Sequence, residues 1–399
     1  MEYSSEVQIY RRRKPQETSL WKLLDHHFLE FEESYDDLFQ QRYGFYRQVI
    51  SHVVRKYLDC GDLREGFARI KCPDCQHEFI LAFSCRGRWF CPSCHNKKVV
   101  QFGHHLKETV LYPLPHRQYV FSVPKILRRF FFYDRTLLGR LSQCAVKSLT
   151  QFFRLTLGKK TGIPGIVAAI QTFGDYVRWH PHLHALVADG LFLESGYFFV
   201  MPKADLRPLA ELFRAHVLKM LQKEGLIDEA FITMIMKWRH TSGFSVHNEV
   251  RIKPADDKGI ENLSQYIIRN TFSLEKLTYK EGDSSAIYRS KMSHGKNRRN
   301  FQVFSPLEFI AAITQHIPEP SLQLVRYYGW YSNRMRGDRR KQQEREKQKR
   351  AGGSETIEDS KLIDIRNYKP KRIPQLVWRE CTPRALLSGR MRRYGRSIR

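Results

Sequence analysis

The sequence predicts an α+β fold in which a central antiparallel sheet packs against helices. Residues 116–123 alternate apolar and polar side chains, and residues 163–173 are typical of a second strand. Only Gly174 and Asp175 separate this second strand from the next one, and such a short connection favours antiparallel pairing. Segments with apolar residues at helical spacing lie between and after the strands. We expect an N-terminal unit of helices and a zinc ribbon before the sheet, and a basic C-terminal extension after it.

Composition and charge narrow the class of protein. The 399 residues are 42% hydrophobic, which is enough for the cores of two or three domains. Lys and Arg number 68 against 41 Asp and Glu, a net charge of +27 that predicts a polyanionic partner. No apolar run approaches the roughly 18 residues of a membrane span, and no secretory signal is visible. We therefore expect a cytoplasmic protein, associated with the nucleoid when it is bound to DNA.

The N-terminal segment is predicted to be helical. Over residues 17–58, Leu20, Leu23, Leu24 and Phe28 recur at helical spacing, and an aromatic-rich run follows. We expect these helices to pack around a small metal module.

The cysteines predict that metal module. Six of the eight cysteines fall between Cys60 and Cys94, a clustering typical of metal binding in a reducing compartment. Two Cys-x-x-Cys motifs fifteen residues apart supply four thiolates for one tetrahedral, structural Zn²⁺, and a redox dithiol is improbable. Cys60 and Cys85 either complete a second site with His77 or His95, or are plain buried cysteines. The motif residues are Cys72, Cys75, Cys91 and Cys94.

The middle of the chain follows the strand and helix pattern in order. After the strand at 116–123, Pro124 opens a long basic amphipathic segment over 125–156. The predicted elements that follow are the strand 163–173, the histidine strand near 179–188, a strand at 197–201, a helix at 206–224, a strand at 243–252 and a helix from Asp256 to about Asn270.

The histidine strand is a candidate metal site. In a strand, residues two apart share a face, so His182 and His184 are expected to point the same way. His180 has the same parity. The alternative is that these are ordinary strand histidines, since a His-x-His pair alone is weakly specific.

The helix before Asn270 carries a tyrosine at the edge of its buried stripe. Ile260, Leu263 and Ile267 form the stripe, and Tyr266 lies beside it. If the helix continues, Asn270 lies on the same face as Tyr266 one turn later. On pattern alone, Tyr266 is an amphipathic packing residue.

Several motifs in a fixed order nevertheless resemble a known family over residues 25–335. The cysteine ribbon is followed by His180-Pro181-His182-Leu183-His184-Ala185-Leu186-Val187-Ala188-Asp189-Gly190 and by 263–275, 288–292, 304–310 and 327–333. This order resembles the rolling-circle transposases of insertion-sequence family 91. The resemblance implies an HUH endonuclease, in which two histidines hold a divalent cation and a tyrosine attacks single-stranded DNA.

Carried over to this chain, the resemblance assigns His182 and His184 as ligands of a catalytic Mg²⁺ or Mn²⁺ and Tyr266 as the nucleophile. The third ligand varies in such enzymes, so His247 and Asn270 are both candidates and His180 is a weaker one. Asn262 occupies the position of the second tyrosine of two-tyrosine relatives, which implies a single-tyrosine variant. Attack leaves a 5′-phosphotyrosine and a free 3′-OH without a nucleotide cofactor, and the chain has no phosphate-binding glycine loop.

Basic residues are expected to follow the DNA strand. The segment from Arg334 to Arg350 contains nine basic residues and three acidic ones. Aromatic residues near the tyrosine (Phe272, Tyr279 and Tyr288) either stack bases or belong to the core. The candidate phosphate-binding residues are Arg269, Arg289, Lys291, Lys296, Arg298 and Arg299.

These predictions divide the chain into four regions. They are an N-terminal helical and zinc-binding region (1–105), an endonuclease domain (106–300), a helical, basic DNA-contacting region (301–350), and a linker with a basic tail (351–399). The tail departs from the family pattern after Trp378-Arg379-Glu380. The leading hypothesis is a DNA transposase that nicks and rejoins single-stranded ends of a mobile element. The alternatives are an HUH replication initiator or relaxase, a non-catalytic zinc-dependent DNA-binding protein, and a small-molecule metalloenzyme, which leaves the charge unexplained.

Overall fold

A computed structural model describes residues 14–71, 76–87, 89–238, 243–254, 256–290, 300–347, 362–365, 368 and 392–393. Its helices are α1 (Ser19–Glu33), α2 (Tyr35–Leu38), α3 (Gln40–Tyr43), α4 (Gln48–Leu58), α5 (Pro92–His105), α6 (Arg128–Tyr133), α7 (Thr136–Thr156), α8 (Arg207–Lys223), α9 (Glu229–Met236), α10 (Asp257–Ile267), α11 (Pro306–Thr314) and α12 (Asn333–Lys347). None of the helices described is long and apolar enough to cross a membrane.

The strands are β1 (Phe67–Lys71), β2 (Glu78–Ala82), β3 (His116–Ser122), β4 (Gly165–Phe173), β5 (Trp179–Ala188), β6 (Gly190–Phe192), β7 (Tyr197–Val200), β8 (Ser245–His247), β9 (Arg251–Ile252), β10 (Leu277–Lys280), β11 (Ser285–Arg289), β12 (Phe301–Phe304), β13 (Val325–Gly329), β14 (Leu362–Asp364) and β15 (Arg392–Arg393). All strand pairs among them are antiparallel, which confirms the predicted α+β class.

The N-terminal helices form the predicted packing unit. Helix α1 begins after Thr18, whose side chain accepts a hydrogen bond from the Trp21 N–H as an N-cap. Its residues at helical spacing are buried, and they share one core with α4, the cysteine region, β11 and α11. This core therefore joins the beginning of the chain to residues beyond 270.

The central sheet has the strand order β13-β4-β5-β3-β8, with β9 also paired to β3. Strand β5 lies in the middle, and all nine residues of its neighbour β4 are buried, because helices cover both faces. Odd-numbered residues of β5 such as Leu183 pack in the core shared with α7 and α8. Even-numbered residues such as Leu186 pack in the core shared with α5 and α10. Strand β5, which carries the histidines, thus lies between β3 and β4 and is covered by helices on both faces of the sheet.

The structure differs from the sequence prediction at three places. Residues 243–252 form two short strands, β8 and β9, and Val250 between them bonds to β3 through its carbonyl. Helix α10 ends at Ile267, and Asn270 lies beyond it, so the predicted face shared with Tyr266 does not continue. The region predicted as helical over 301–350 also contains β12 and β13, and β13 pairs with β4 as the edge strand of the central sheet.

Candidate active site and cysteine cluster

Strand β5 places the histidines on the face that α10 covers. His182 and His184 are 7% and 2% exposed, and their ring centroids are 5.0 Å apart. The His180 ring follows on the same face, 5.1 Å from that of His182. Register with β3 and β4 on both sides prevents a one-residue slip that would turn all three rings into the opposite core.

Hydrogen bonds orient the two imidazoles. The His182 Nδ1–H donates to the His180 carbonyl at 2.7 Å, which leaves Nε2 with a free lone pair. The Gln118 amide nitrogen lies 2.8 Å from His184 Nδ1 and donates to it as placed. Rotating the amide by 180°, which exchanges its oxygen and nitrogen, would let Gln118 Oε1 accept from Nδ1–H and leave the lone pair on Nε2. No described residue hydrogen-bonds the buried Nε2 of His184. Two imidazoles oriented by hydrogen bonds to their second ring nitrogen fit a divalent cation.

Burial keeps both rings neutral at physiological pH. Desolvation lowers the pKa of His182 to about 4 and that of His184 to about 3, and the nearby Arg269 charge adds to the effect. The neutral imidazole is the form that binds a metal ion, so no proton has to be displaced at pH 7.

Tyr266 lies against this pair of histidines. Its helix starts at Asp256, whose carboxylate accepts from the Gly259 N–H, and buries Ile260, Leu263 and Ile267. The Tyr266 ring, 46% exposed, meets the His184 ring edge to face with centroids 5.1 Å apart. A phenol that is reachable from solvent and adjacent to the histidines can contact a bound strand.

Arg269 brings a positive charge to the same place. Its guanidinium lies 5.1 Å from the centroid of the Tyr266 ring and 5.2 Å from that of Phe173. The side chain is exposed, and no ion pair involving it is found among the described residues. The guanidinium is therefore free to bind a phosphate.

Two side chains from other elements cap the C-terminal end of the tyrosine helix. The last carbonyls of an α-helix lack partners within the helix. Gln171 of β4 donates to the carbonyls of Tyr266 (3.3 Å) and Ile267 (2.7 Å). His95 of α5 accepts from the Trp89 N–H at Nδ1 and donates through Nε2 to the Ile268 carbonyl at 2.5 Å. The position of Tyr266 is thus set by both the central sheet and the cysteine-bearing helix.

The candidates for a third ligand lie at different distances from the histidine pair. His247 is exposed on β8, and Val120 of β3 stands between it and His184 in the register. Among the described residues, no His, Cys, Asp or Glu joins His182 and His184 in a cluster of ligand atoms within 4.8 Å. The Asn270 Oδ1 accepts from the Thr271 N–H, and its Nδ2 is buried without a partner.

Gln171 is a further candidate that the sequence reasoning missed. It is the register partner of His182, and its Oε1 is buried without a hydrogen-bond partner while its Nε2 caps the helix. The signal in the sequence is the single amide in β4, whose other residues are apolar except for Thr172. Gln118, which lies beside His184, gives no comparable signal, because β3 also contains His116, Arg117 and Ser122.

A cavity of about 580 Å³ opens beside Tyr266. His247, Asn262 and Tyr266 all line it, so Asn262 does lie on the tyrosine's side of α10, one turn earlier.

The cysteine cluster forms from residues that are distant in sequence. Sγ atoms of Cys60, Cys85, Cys91 and Cys94 all lie within 4.8 Å of one another. The Cys60–Cys91, Cys60–Cys94 and Cys85–Cys94 separations are 3.9, 3.7 and 3.6 Å. A zinc tetrahedron with Zn–S bonds of about 2.3 Å has sulfur–sulfur edges of about 3.8 Å, so the cluster fits Zn²⁺.

The start of α5 contributes two of these sulfurs. Cys91 is its N-cap, Pro92 its first residue, and Cys94 lies in its first turn, where the helix dipole favours thiolates. Hydrogen bonds from the neighbouring thiols hold the pKa of Cys94 well below its usual range. Because four protein sulfurs fill the tetrahedron, such a zinc is structural.

The other predicted ligands of the ribbon do not join this cluster among the residues described. His77 is exposed, and His95 is the cap of α10 described above. Cys72 and Cys75 lie outside the described residues.

The predicted DNA-binding residues are only partly visible. Arg269 and Arg289 are exposed, whereas Lys291, Lys296, Arg298 and Arg299 lie outside the described residues. Phe272 and Tyr288 are buried in the core of the N-terminal helices and do not present a face for stacking. Tyr279 is half-buried, and its hydroxyl lies 2.8 Å from His27 Nε2.

Comparison with known proteins gives a family match for each of two regions of the chain. Residues 165–339 match the family model described as "Putative transposase", and residues 30–123 match that of the transposase zinc-binding domain. The chain is 26% identical over 307 residues to the transposase for insertion sequence element IS801 of Pseudomonas savastanoi pv. phaseolicola, covering 74% of this chain and 73% of the relative. It is 25% identical over 286 residues to the protein described as "Putative transposase y4qJ" of Sinorhizobium fredii, covering 66% of this chain and 70% of the relative. No solved structure matches. The order of the two matches, with the zinc-binding region in front of the transposase region, and the similarity to the IS801 transposase support a transposase of the insertion-sequence family 91 type.

Proposed function

We propose that this transposase nicks and rejoins single-stranded DNA through a 5′-phosphotyrosine on Tyr266. The observation that carries the proposal is the edge-to-face contact of the exposed Tyr266 ring with His184, one of two buried, neutral histidines. A nucleophile, a candidate cation site and the Arg269 charge lie together on one face of the sheet.

In the proposed reaction, the Tyr266 oxygen attacks the scissile phosphorus and the bond from phosphorus to the 3′ oxygen breaks. The phenolic proton is lost to solvent, and the departing 3′ oxygen takes up a proton to become a free 3′-OH. One phosphodiester replaces another, so rejoining needs no nucleotide cofactor. Arg269 would bind a phosphate oxygen next to the phenol.

His182 and His184 would hold a divalent cation, with Mg²⁺ or Mn²⁺ the expected ions. Such a cation would act as a Lewis acid that neutralises charge on the scissile phosphate. For the third protein ligand, we favour the oxygen of Gln171 over Asn270 and His247. Gln171 Oε1 is buried, unpartnered and next to His182 in the register, whereas Asn270 Oδ1 is already bonded and His247 lies two strands away.

We also propose that the structural zinc is held by Cys60, Cys85, Cys91 and Cys94. The zinc region (1–105) and the endonuclease domain (106–300) would act together, and the basic helix α12 would contact the DNA backbone. The domain would also include β13, since this strand completes the edge of the sheet.

The test is an adduct assay on single-stranded oligonucleotides of the element's ends with Mn²⁺ or Mg²⁺. We expect a covalent protein–DNA adduct that maps to Tyr266, is lost in Tyr266→Phe, and is lost in the double variant His182→Ala/His184→Ala with DNA binding and zinc content retained. Tyr279→Phe is a matched control, because Tyr279 is hydrogen-bonded to His27 away from the histidine strand. Adduct formation by the double histidine variant would show that the cation site is assigned wrongly.

Two alternatives remain as outcomes of the same assay. A wild-type protein that binds DNA but forms no adduct with either ion would be a zinc-dependent DNA-binding protein. A replication initiator or relaxase would form the adduct on plasmid origin sequences rather than on the ends of a mobile element.

A further inference from the structure

A cavity of about 590 Å³ lies at the start of β5, on the other side of His180 from His182 and His184. Its wall combines parts of the N-terminal helices, α6, the turn before β5, β12 and α11. We propose that it receives an unstacked base of the single-stranded DNA substrate, a proposal that rests on the function proposed above. The residues used in the argument are Arg42, Tyr43, Arg129, Phe132, Tyr133 and Arg178.

Aromatic rings form one side of the cavity. Tyr133 is 67% exposed. Its ring is braced edge to face by Phe132 at 5.3 Å, and Phe132 in turn contacts Tyr43 at 6.2 Å and Trp179 at 5.0 Å. The Tyr133 ring is thus an exposed flat surface on a rigid support, as in proteins that stack bases of single strands.

Arginines surround these rings. Arg42, Arg129 and Arg178 are exposed, and none of them forms an ion pair within the described part of the chain. Each guanidinium rests on an aromatic ring, at 5.0 Å from Tyr43, 5.2 Å from Phe130 and 5.9 Å from Tyr176. The acid on the wall, Glu308, is occupied by the capping box of α11. Three unpaired cations and stacking surfaces suit a nucleotide better than an uncharged ligand.

The backbone of the wall is strained. Tyr176 and Val177 have φ angles of +53° and +58°, which side chains beyond glycine rarely adopt. The buried His316 bonds the Val177 carbonyl at 2.8 Å and stacks on Trp179, so the turn is held in place from below. Such over-determined strain is typical of ligand-binding turns.

The cavity lies close to His182 and His184 along the strand. Trp179 precedes His182 by three residues of an extended strand, or about 10 Å. The cavity would therefore hold a base within a few nucleotides of the scissile phosphate.

The experiment is an abasic scan of binding by the zinc-loaded full chain carrying Tyr266→Phe, so that cleavage does not interfere. The probe is the tightest-binding single-stranded oligonucleotide among those tiled across the DNA that flanks the gene, with each base removed in turn. We expect one or two adjacent abasic positions to weaken binding by about 5- to 150-fold, the range for loss of one base–aromatic stack. In the Tyr133→Ala variant, the same abasic positions should cause no further loss.

Phe45→Ala is the control, because Phe45 is 82% exposed but does not line the cavity, and its abasic profile should match that of the parent. Arg178→Gln should reduce the slope of log affinity against log salt by about 0.7. Three results would each overturn the proposal. The affinity is the same for every abasic position, an abasic position weakens binding equally with and without the Tyr133 ring, or the duplex form of the oligonucleotide competes for binding as well as the single strand does. The scan measures binding alone, so a wild-type protein that forms no adduct would refute the proposed chemistry without affecting this test.

Discussion

The contact between His95 and helix α10 predicts that the cysteine-bearing helix α5 controls the position of Tyr266, the proposed nucleophile. His95 is 2% exposed and donates to the carbonyl of Ile268, which is itself 4% exposed. His95→Phe keeps an aromatic ring beside Trp89 but leaves that buried carbonyl unpaired, at a cost of about 1–3 kcal/mol. If the whole cost falls on the placement of α10, the rate of adduct formation drops by about 5- to 150-fold. His95→Gln retains a donor and should recover most of the rate.

The assay combines three measurements on each variant: adduct rate, zinc content and hydrogen exchange of the α10 amides. We expect His95→Phe to keep its zinc and its affinity for single-stranded DNA while the last turn of α10 exchanges faster. Faster exchange confined to α10 would indicate that His95 positions this helix. A general loss of folding would instead speed up exchange in all helices. An adduct rate within twofold of wild type, with unchanged exchange in α10, would refute the coupling.

Three further predictions concern metal, charge and pH. Cys85→Ser should lower the zinc content measured by atomic absorption, whereas Cys144→Ser, a buried cysteine of α7 outside the cluster, should leave it unchanged. Asp189 is fully buried and bonded to two arginines of β3 and β9, so Asp189→Asn should lower the free energy of unfolding by roughly 3 kcal/mol in urea titrations. Burial lowers the pKa of His316 to about 3, so below pH 6.5 the unfolded chain binds a proton that the folded chain does not. As the pH is lowered from 6.5 to 4, the free energy of unfolding should therefore fall by up to about 1.4 kcal/mol per pH unit because of this group. His316→Gln should make this dependence on pH less steep. An unchanged slope in the variant would contradict the assignment of the effect to His316.

Local periodicity was sufficient to predict the elements that carry the candidate site. Alternation along β5 predicted that His182 and His184 share a face, and the strand has that geometry. The N-cap at Asp256 and the stripe on α10 were likewise readable, because both depend on residues within one or two turns. The family resemblance, rather than periodicity, selected Tyr266 among nineteen tyrosines.

Contacts between distant segments could not be predicted in this way. Cys60 and Cys85 join Cys91 and Cys94 because the end of α4 and the loop after β2 pack against the start of α5. The spacing of the cysteines in the sequence does not predict this contact. The caps of α10 depend on how α5 and β4 approach it in space. The edge strand β13 was missed because a five-residue segment after a helix has little periodicity of its own.

The packing of α5 on α10 also limits how these transposases can evolve by exchanging the zinc-binding and transposase regions between relatives. A Cβ on Gly103 of α5 would stand 3.5 Å from that of Ser264, in the same interface as the His95 bond. The two regions that match separate family models therefore share a closely packed interface on the helix that carries Tyr266. A chimera that takes its zinc-binding region from one relative and its sheet from another therefore needs matching faces on α5 and α10 to hold Tyr266 in position. Recombination within the family should accordingly preserve the α5 and α10 sequences together more often than either with the rest of its own region.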